Sequence, residues 1–557
     1  MRRPNKSHLS KHQSHLGGIP FGKGIMVTIP KQVIRFRGSP RMSGQPGNGQ
    51  RHSRQSSRLD ASSGSAKSTK RQGSLFVQTL DRTLLGAHNE RHTTSGVPRF
   101  EWFPATESRT DIMKIACSTL FFVLTFTLFT SAQSPTALRK AIDADYKNHL
   151  WPLFDHWHRN PELSLVETKT AARLAKELRD AGFKVREGVG GTGIVAIMDN
   201  GPGPMVMMRA DMDGLPVEEN SGLPNVSTVK QKSPITGKMV PVMHACGHDV
   251  HITSLVGTAR RMAAIKDQWS GRLMLIGQPA EERVIGAKAM MKDNLWSRFG
   301  KPDYALAFHV WCGGEAGKLA VSDASPYAGA DAVDIIVHGV GAHGASPHRG
   351  KDPIVLGAQI VVALQTLVAR ELPPRDPGVV TVGSFHAGTK HNIISDRAVL
   401  QLTVRNTSLE TRKLLLDGIK RIAENLGRAA GLPEDKLPEV RYSEYTPPTI
   451  NNAKLVGRLR KVWTEKMGND ITMDEAFVAK HSKGMGAEDF PFFTTDPPIP
   501  SVYFSVGGTP KADIDAEAAG GPKVPSHHSP FFKISPEPSI KTGVEATVLA
   551  LLDLMKK

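Results

Sequence analysis

MVMMRADMD (205–213) is an unbroken apolar run that turns into an arginine and two aspartates. Two later stretches repeat the plan: LMLIGQPAEE (273–282) runs from aliphatic residues into Glu281 and Glu282, and YALAFHV (304–310) reaches His309. With IVAIM (194–198), these runs are continuous rather than alternating, which predicts strands covered on both faces. Helical spacing separates several of them, so the expected fold class is α/β, with a mixed, largely parallel sheet flanked by helices. Ligands in such open sheets bind at the carboxyl ends of the strands. Three strands are therefore expected to end in carboxylate or imidazole at one edge. Cys246-Gly247-His248-Asp249, just ahead of a helix beginning near Val250, adds a thiol and a second imidazole.

Outward from this centre, two helices are expected between Ala137 and about Lys184, with HRNPELS (158–164) as the break. Between about Asp331 and Tyr445 the rhythm becomes βαββαβ, the split ferredoxin-like plan. The strand-like SVYFSVGG (501–508), the SHHSP loop (526–530) and a closing helix at about 537–556 complete the chain. The predicted division is a catalytic domain of residues 137–328 and 446–557, interrupted by an α+β insertion at 329–445.

The chain has 557 residues and a formal net charge of +18. Residues 1–112 hold 19 Lys and Arg against 6 Asp and Glu, so the basic signal sits in a Ser-, Gly- and Arg-rich leader and does not mark the rest as nucleic-acid-binding. This leader lacks hydrophobic period and is expected to be disordered. Residues 113–132 follow with a positive start, an apolar run and small residues, the pattern of a secretory signal; the run is short of the ~20 residues that span a bilayer. Translation from Met113 is expected, with 1–112 an over-long gene call, and the product secreted or periplasmic. Of the three cysteines, Cys117 would leave with the signal, and a Cys246–Cys312 disulfide is the structural alternative to a metal thiolate.

Thiolate, imidazole and carboxylate together suit a borderline transition ion such as Zn²⁺ or Mn²⁺. Adjacent carboxylates after a strand can divide labour, one binding metal and the other acting as general base. His244, His251, His338, His386 and His391 are read as structural or surface residues.

RADMDGLP (209–216), MHACGHD (243–249), QPAEE, AFHV (307–310), AHGASPH (342–348), GTKHNIISD (388–396), GMGAEDF (484–490) and HHSP (527–530) occur in this order over about residues 140–557. In these motifs the chain resembles the M20 metallopeptidases, above all the amidohydrolase branch of hippurate and indole-acetyl amino acid hydrolases. The resemblance implies two divalent transition-metal ions, Mn²⁺ or Zn²⁺, held by Cys246, His248, Glu282, His309 and His528. His528 is preferred to His527 because it directly precedes Ser-Pro. The resemblance also implies Glu281 as general base, Asp211 as a supporting acid, and His343 as a group polarising the substrate carbonyl, within reach of a neighbouring subunit. Asn392 and Arg405 are implied to hold substrate, and the insertion to be a lid and dimerisation domain of a homodimer. Arg209 stands where other M20 branches carry a metal-binding histidine. ERVIGAK (282–288) departs from the glycine-rich run that follows the carboxylate pair in many relatives, and NIISD from the more usual NIIPD. The expected reaction is hydrolysis of the amide of N-acyl amino acids or related small amides by metal-activated water. The alternatives are a dipeptidase or aminopeptidase acting on short peptides, or a non-catalytic metal-binding protein.

Overall fold

A computed structural model of the protein describes residues 135–481 and 484–557; residues 1–112, expected to be a disordered leader, and 113–132, expected to be a signal, lie outside them. The first elements are helices α1 (Pro135–Asp145), α2 (Trp151–Arg159) and α3 (Thr168–Asp180), then strands β1 (Lys184–Val189), β2 (Gly193–Asn200) and β3 (Met205–Asp211). Helix α4 (His248–Ala264), β4 (Gly271–Gln278), β5 (Tyr304–Glu315) and β6 (Leu319–Ala320) follow. The inserted segment runs β7 (Gly329–His338), β8 (Ala342–His343), α5 (Pro353–Thr366), β9 (Gly378–Ala387), β10 (Ile393–Ile394), β11 (Arg397–Asn406), α6 (Leu409–Ala429) and β12 (Glu439–Thr446). Helix α7 (Ala453–Met467), β13 (Ser501–Thr509) and α8 (Pro536–Leu554) close the chain.

The main sheet has the order β1-β2-β4-β3-β5-β13-β6, parallel through β4, β3, β5 and β13 and antiparallel toward both edges. Its central strands are mostly apolar because both faces are covered. Val206, Met208, Leu306 and Phe308 pack with residues of α1 to α4, α7 and α8. Met205, Met207, Met274 and Ala305 point the other way, against Phe490, Phe493 and Met290. Edge strand β1 adds to the predicted strands: its KVREGV is mostly solvent-facing, so it carries no apolar alternation to betray a strand.

Residues of the insertion form a separate four-stranded antiparallel sheet, β9-β11-β7-β12, backed by α5 and α6. Its own apolar cluster includes Val333, Ile335, Ile360, Leu400 and Ile419. Helix α5 is apolar nearly all round: Leu356, Ile360 and Leu364 pack inward, while Val355 and Val362 stay 54% and 71% exposed.

One buried ion cluster ties the first helices to the start of α4. His158 on α2 holds Asp249 through Nδ1 at 2.7 Å and faces Glu219 through Nε2 at 3.3 Å. Burial alone would lower the His158 pKa, but the two carboxylates carry it from 6.5 up to about 10. A raised folded-state pKa means that the stabilisation is fully present below pH 6.5 and is lost as pH rises through about 10. His158→Ala is expected to lower unfolding free energy by about 3–5 kcal/mol at neutral pH, because it strands buried carboxylates. The deficit should shrink toward pH 10; urea denaturation across that range checks it, and a deficit independent of pH would contradict the ion-pair account.

Candidate metal centre

Three sheet strands and the start of α4 supply the site. Asp211 is the last residue of β3, Glu281 and Glu282 form a short turn after β4, and Cys246 and His248 flank Gly247 at the head of α4. His309 departs from the expected strand end: β5 continues to Glu315. It is nevertheless at the edge of the β3 ladder, because β3 pairs with β5 only as far as Ala307. Gly247 adopts φ +84°, and a Cβ there would lie 2.4 Å from Val310 Cγ1, so this turn between the two ligand candidates requires glycine.

Candidate ligand atoms of Cys246, His248 and Glu282 lie within 4.8 Å of one another, and so do those of Asp211, His248, His251 and His309. Such spacing fits donors that each sit about 2.0–2.3 Å from a shared ion. Cys246 Sγ is 3.4 Å from His309 Nε2, His248 Nε2 is 3.8 Å from Glu282 Oε1, and His528 Nε2 is 3.3 Å from Glu282 Oε2. Cys246 and Cys312 are both free thiols, so the disulfide alternative does not hold.

The donor set fits cations on grounds of charge. Asp211, Asp213, Glu281, Glu488 and Asp489 are buried and the Glu282 side chain is nearly so, yet among the described residues Arg209 is the one guanidinium buried with them. Buried carboxylates in such excess need further positive charge. His248 registers the same field: burial opposes protonation, but Asp211, Asp213 and Glu282 carry its pKa up to about 10. His248 Nε2 and Glu282 Oε1 are buried without a hydrogen-bond partner, as expected of atoms reserved for a metal, while His248 Nδ1 lies 3.4 Å from Asp213 Oδ1. Burial, then Glu488, Glu282 and Asp489, push the Glu281 pKa well above the usual carboxylate range.

The sequence pattern of peptidase family M20/M25/M40 matches residues 207–552. The chain belongs to the M20 family. It is 36% identical over 337 residues to a hippurate hydrolase of Campylobacter jejuni, covering 60% of this chain and 82% of that one. It is 37% identical over 355 residues to thermostable carboxypeptidase 2 of Saccharolobus solfataricus, covering 63% and 83%. A crystal structure described as an aminohydrolase of methicillin resistant Staphylococcus aureus superposes with a TM-score of 0.66 at 30% identity, over 75% of this chain and 99% of that one. Family and donor cluster together make this M20 protein a metal-dependent hydrolase with clusters suited to a dinuclear centre.

Not every candidate residue converges. A cavity of about 1040 Å³ is lined by Cys246, Glu281, Glu282, His309, His528 and Arg405. His343 and Asn392 sit elsewhere, on and just before the short antiparallel pair of β8 with β10, with His343 exposed and its Nδ1 accepting the Ala345 N–H at 3.0 Å. His527 packs on His309 and accepts the Cys312 N–H through Nε2, which leaves His528 as the member of the pair beside Glu282.

Two residues of this M20 site stand in visible motifs, but their roles are not legible in the sequence. Asp213 accepts the backbone N–H groups of Glu281 and Glu282, each at 3.1 Å, and so sets the turn that presents both carboxylates. Glu488 accepts from Arg209 and from the Tyr503 hydroxyl; AEDF is visible as a motif, but its partner Arg209 lies 279 residues away.

Proposed function

We propose that the protein hydrolyses the amide bond of N-acyl amino acids or related small amides, with Glu281 as general base and two Mn²⁺ or Zn²⁺ ions held by Cys246, His248, Glu282, His309 and His528. The observation that carries this reading is the placement of Glu281 beside the donor cluster in the same cavity as Arg405. When bound, the ions supply Lewis-acid polarisation of the carbonyl and a lowered pKa for water. Glu281 takes the water proton on its carboxylate and returns it to the leaving amine nitrogen. Asp211 holds its place between Arg209 and His251 and keeps the base of the site negative.

Arg405 has no carboxylate partner among the described residues, and burial lowers its pKa. A substrate carboxylate is the natural complement of its planar fork. Trp311, Val321, Met473 and Val478 line the cavity too and suit an apolar acyl group. Arg405→Gln is expected to raise KM about 10–100-fold for substrates with a free carboxylate, the loss of one charge-assisted bond. Amides without a carboxylate should show no such change; an equal loss on both would remove Arg405 from substrate recognition.

The inserted segment is read as a ferredoxin-like lid and dimerisation domain of residues 329–445 between catalytic parts 137–328 and 446–557. The exposed apolar side chains of α5 support a homodimer, in which His343 and Asn392 would serve the neighbouring subunit's substrate. Secretion through residues 113–132 remains part of the proposal. The test is metal analysis of the purified protein coupled to turnover of N-benzoylglycine, an indole-acetyl amino acid and free dipeptides. Two metal equivalents with cleavage of the acyl amino acids are expected. Cleavage of dipeptides alone would favour a peptidase, and bound metal without cleavage of any amide would overturn the reading.

A further inference from the structure

We infer that His251 is a positioning residue, which fixes the orientation of His309 through the backbone of Val310 and does not itself hold metal. The inference rests on the reading of His309 as a ligand. His251 lies among the donors Asp211, His248 and His309, so proximity alone would make it a ligand candidate. Its two nitrogens are already committed. The Val310 N–H can only donate, so His251 Nε2, at 2.8 Å, must be the acceptor. The ring proton is therefore on Nδ1, which donates to Asp211 Oδ1 at 2.5 Å.

The Val310 carbonyl can only accept, so His309 Nδ1 donates to it at 2.7 Å and the His309 lone pair is on Nε2, the atom facing Cys246 Sγ. Val310 is thus held at its N–H by His251 and engaged at its carbonyl by His309. Strand β3 has stopped pairing with β5 at Ala307, so His251 takes up an N–H beyond the end of that ladder. The His251 ring also meets the His309 ring edge-on, with centroids 4.5 Å apart. The Val310 carbonyl is the direct outer partner that sets the His309 tautomer, and His251 braces that residue; losing an outer partner of a metal-binding imidazole typically costs about 10–100-fold in metal affinity.

The test is Co²⁺ titration of the chelator-treated protein, read by visible absorption and calorimetry, for wild type, His251→Ala, His251→Gln and His309→Ala. Leu364→Ala, in the separate apolar cluster of the insertion, is the control for destabilisation alone. His251→Ala is expected to keep the number of bound Co²⁺ ions, weaken one of them about 10–100-fold and shift its absorption bands. His251→Gln keeps a donor and an acceptor and should recover part of the affinity, so the comparison stands if the alanine variant folds poorly. Wild-type affinity and bands in both His251 variants, or a change matched by Leu364→Ala, would overturn the positioning role. Loss of a whole Co²⁺ equivalent in the His251 variants would make His251 a ligand instead. Unchanged binding in His309→Ala would remove the ligand reading of His309, and this inference with it.

Discussion

Glu281→Gln is expected to lower kcat by about 10²–10⁴-fold while both metal equivalents stay bound. The amide keeps the shape of the side chain and loses the ability to take a proton. Glu281 is surrounded by carboxylates, with its Oε2 3.8 Å from His248 Nε2 and burial and Glu488 holding its pKa high, so a neutral side chain should be tolerated there. Thermal stability should accordingly be unchanged or slightly higher. Steady-state kinetics with elemental analysis of the same preparation decide the matter. Normal turnover would dismiss Glu281 as the base, and loss of metal together with activity would make it a ligand.

Arg209→Met is expected to cost about 3–5 kcal/mol of unfolding free energy, as removal of one partner from a buried charge network does. The guanidinium is fully buried and donates to Gln278 at 2.7 Å, Asp211 at 2.7 Å and Glu488 at 2.7 Å. No other side chain type presents donors in that fork, so Arg209→Lys should also be destabilised. Adding Glu488→Gln to Arg209→Met should recover part of the loss, since one stranded charge is removed. Urea denaturation of the three variants checks this, and a wild-type midpoint for Arg209→Met would show that the carboxylates do not depend on it.

Much of the site was legible because its signals are local. A continuous apolar run followed by Asp211, Glu281-Glu282 or His309 marks a covered strand and its polar edge, and Cys246-Gly247-His248 places two donors on one turn. The four strands and two helices of the insertion were likewise readable from their periods. β1 was not, since an exposed edge strand of Lys184, Arg186 and Glu187 has little to bury and so no period to show.

Sequence by itself determined most of the strand and helix pattern, the chemical types of the donors and the family to which the chain belongs. Tertiary structure alone decided which of them meet: that His309 lies within its strand and not at its end, that Cys246 and Cys312 remain free, that Asp213 holds the Glu281 turn, and that Arg209 is enclosed by acids. The reason is physical. Periodicity reports burial along a single element, whereas hydrogen-bond partners and compensating charges come from segments far apart in the chain, and only packing brings those together.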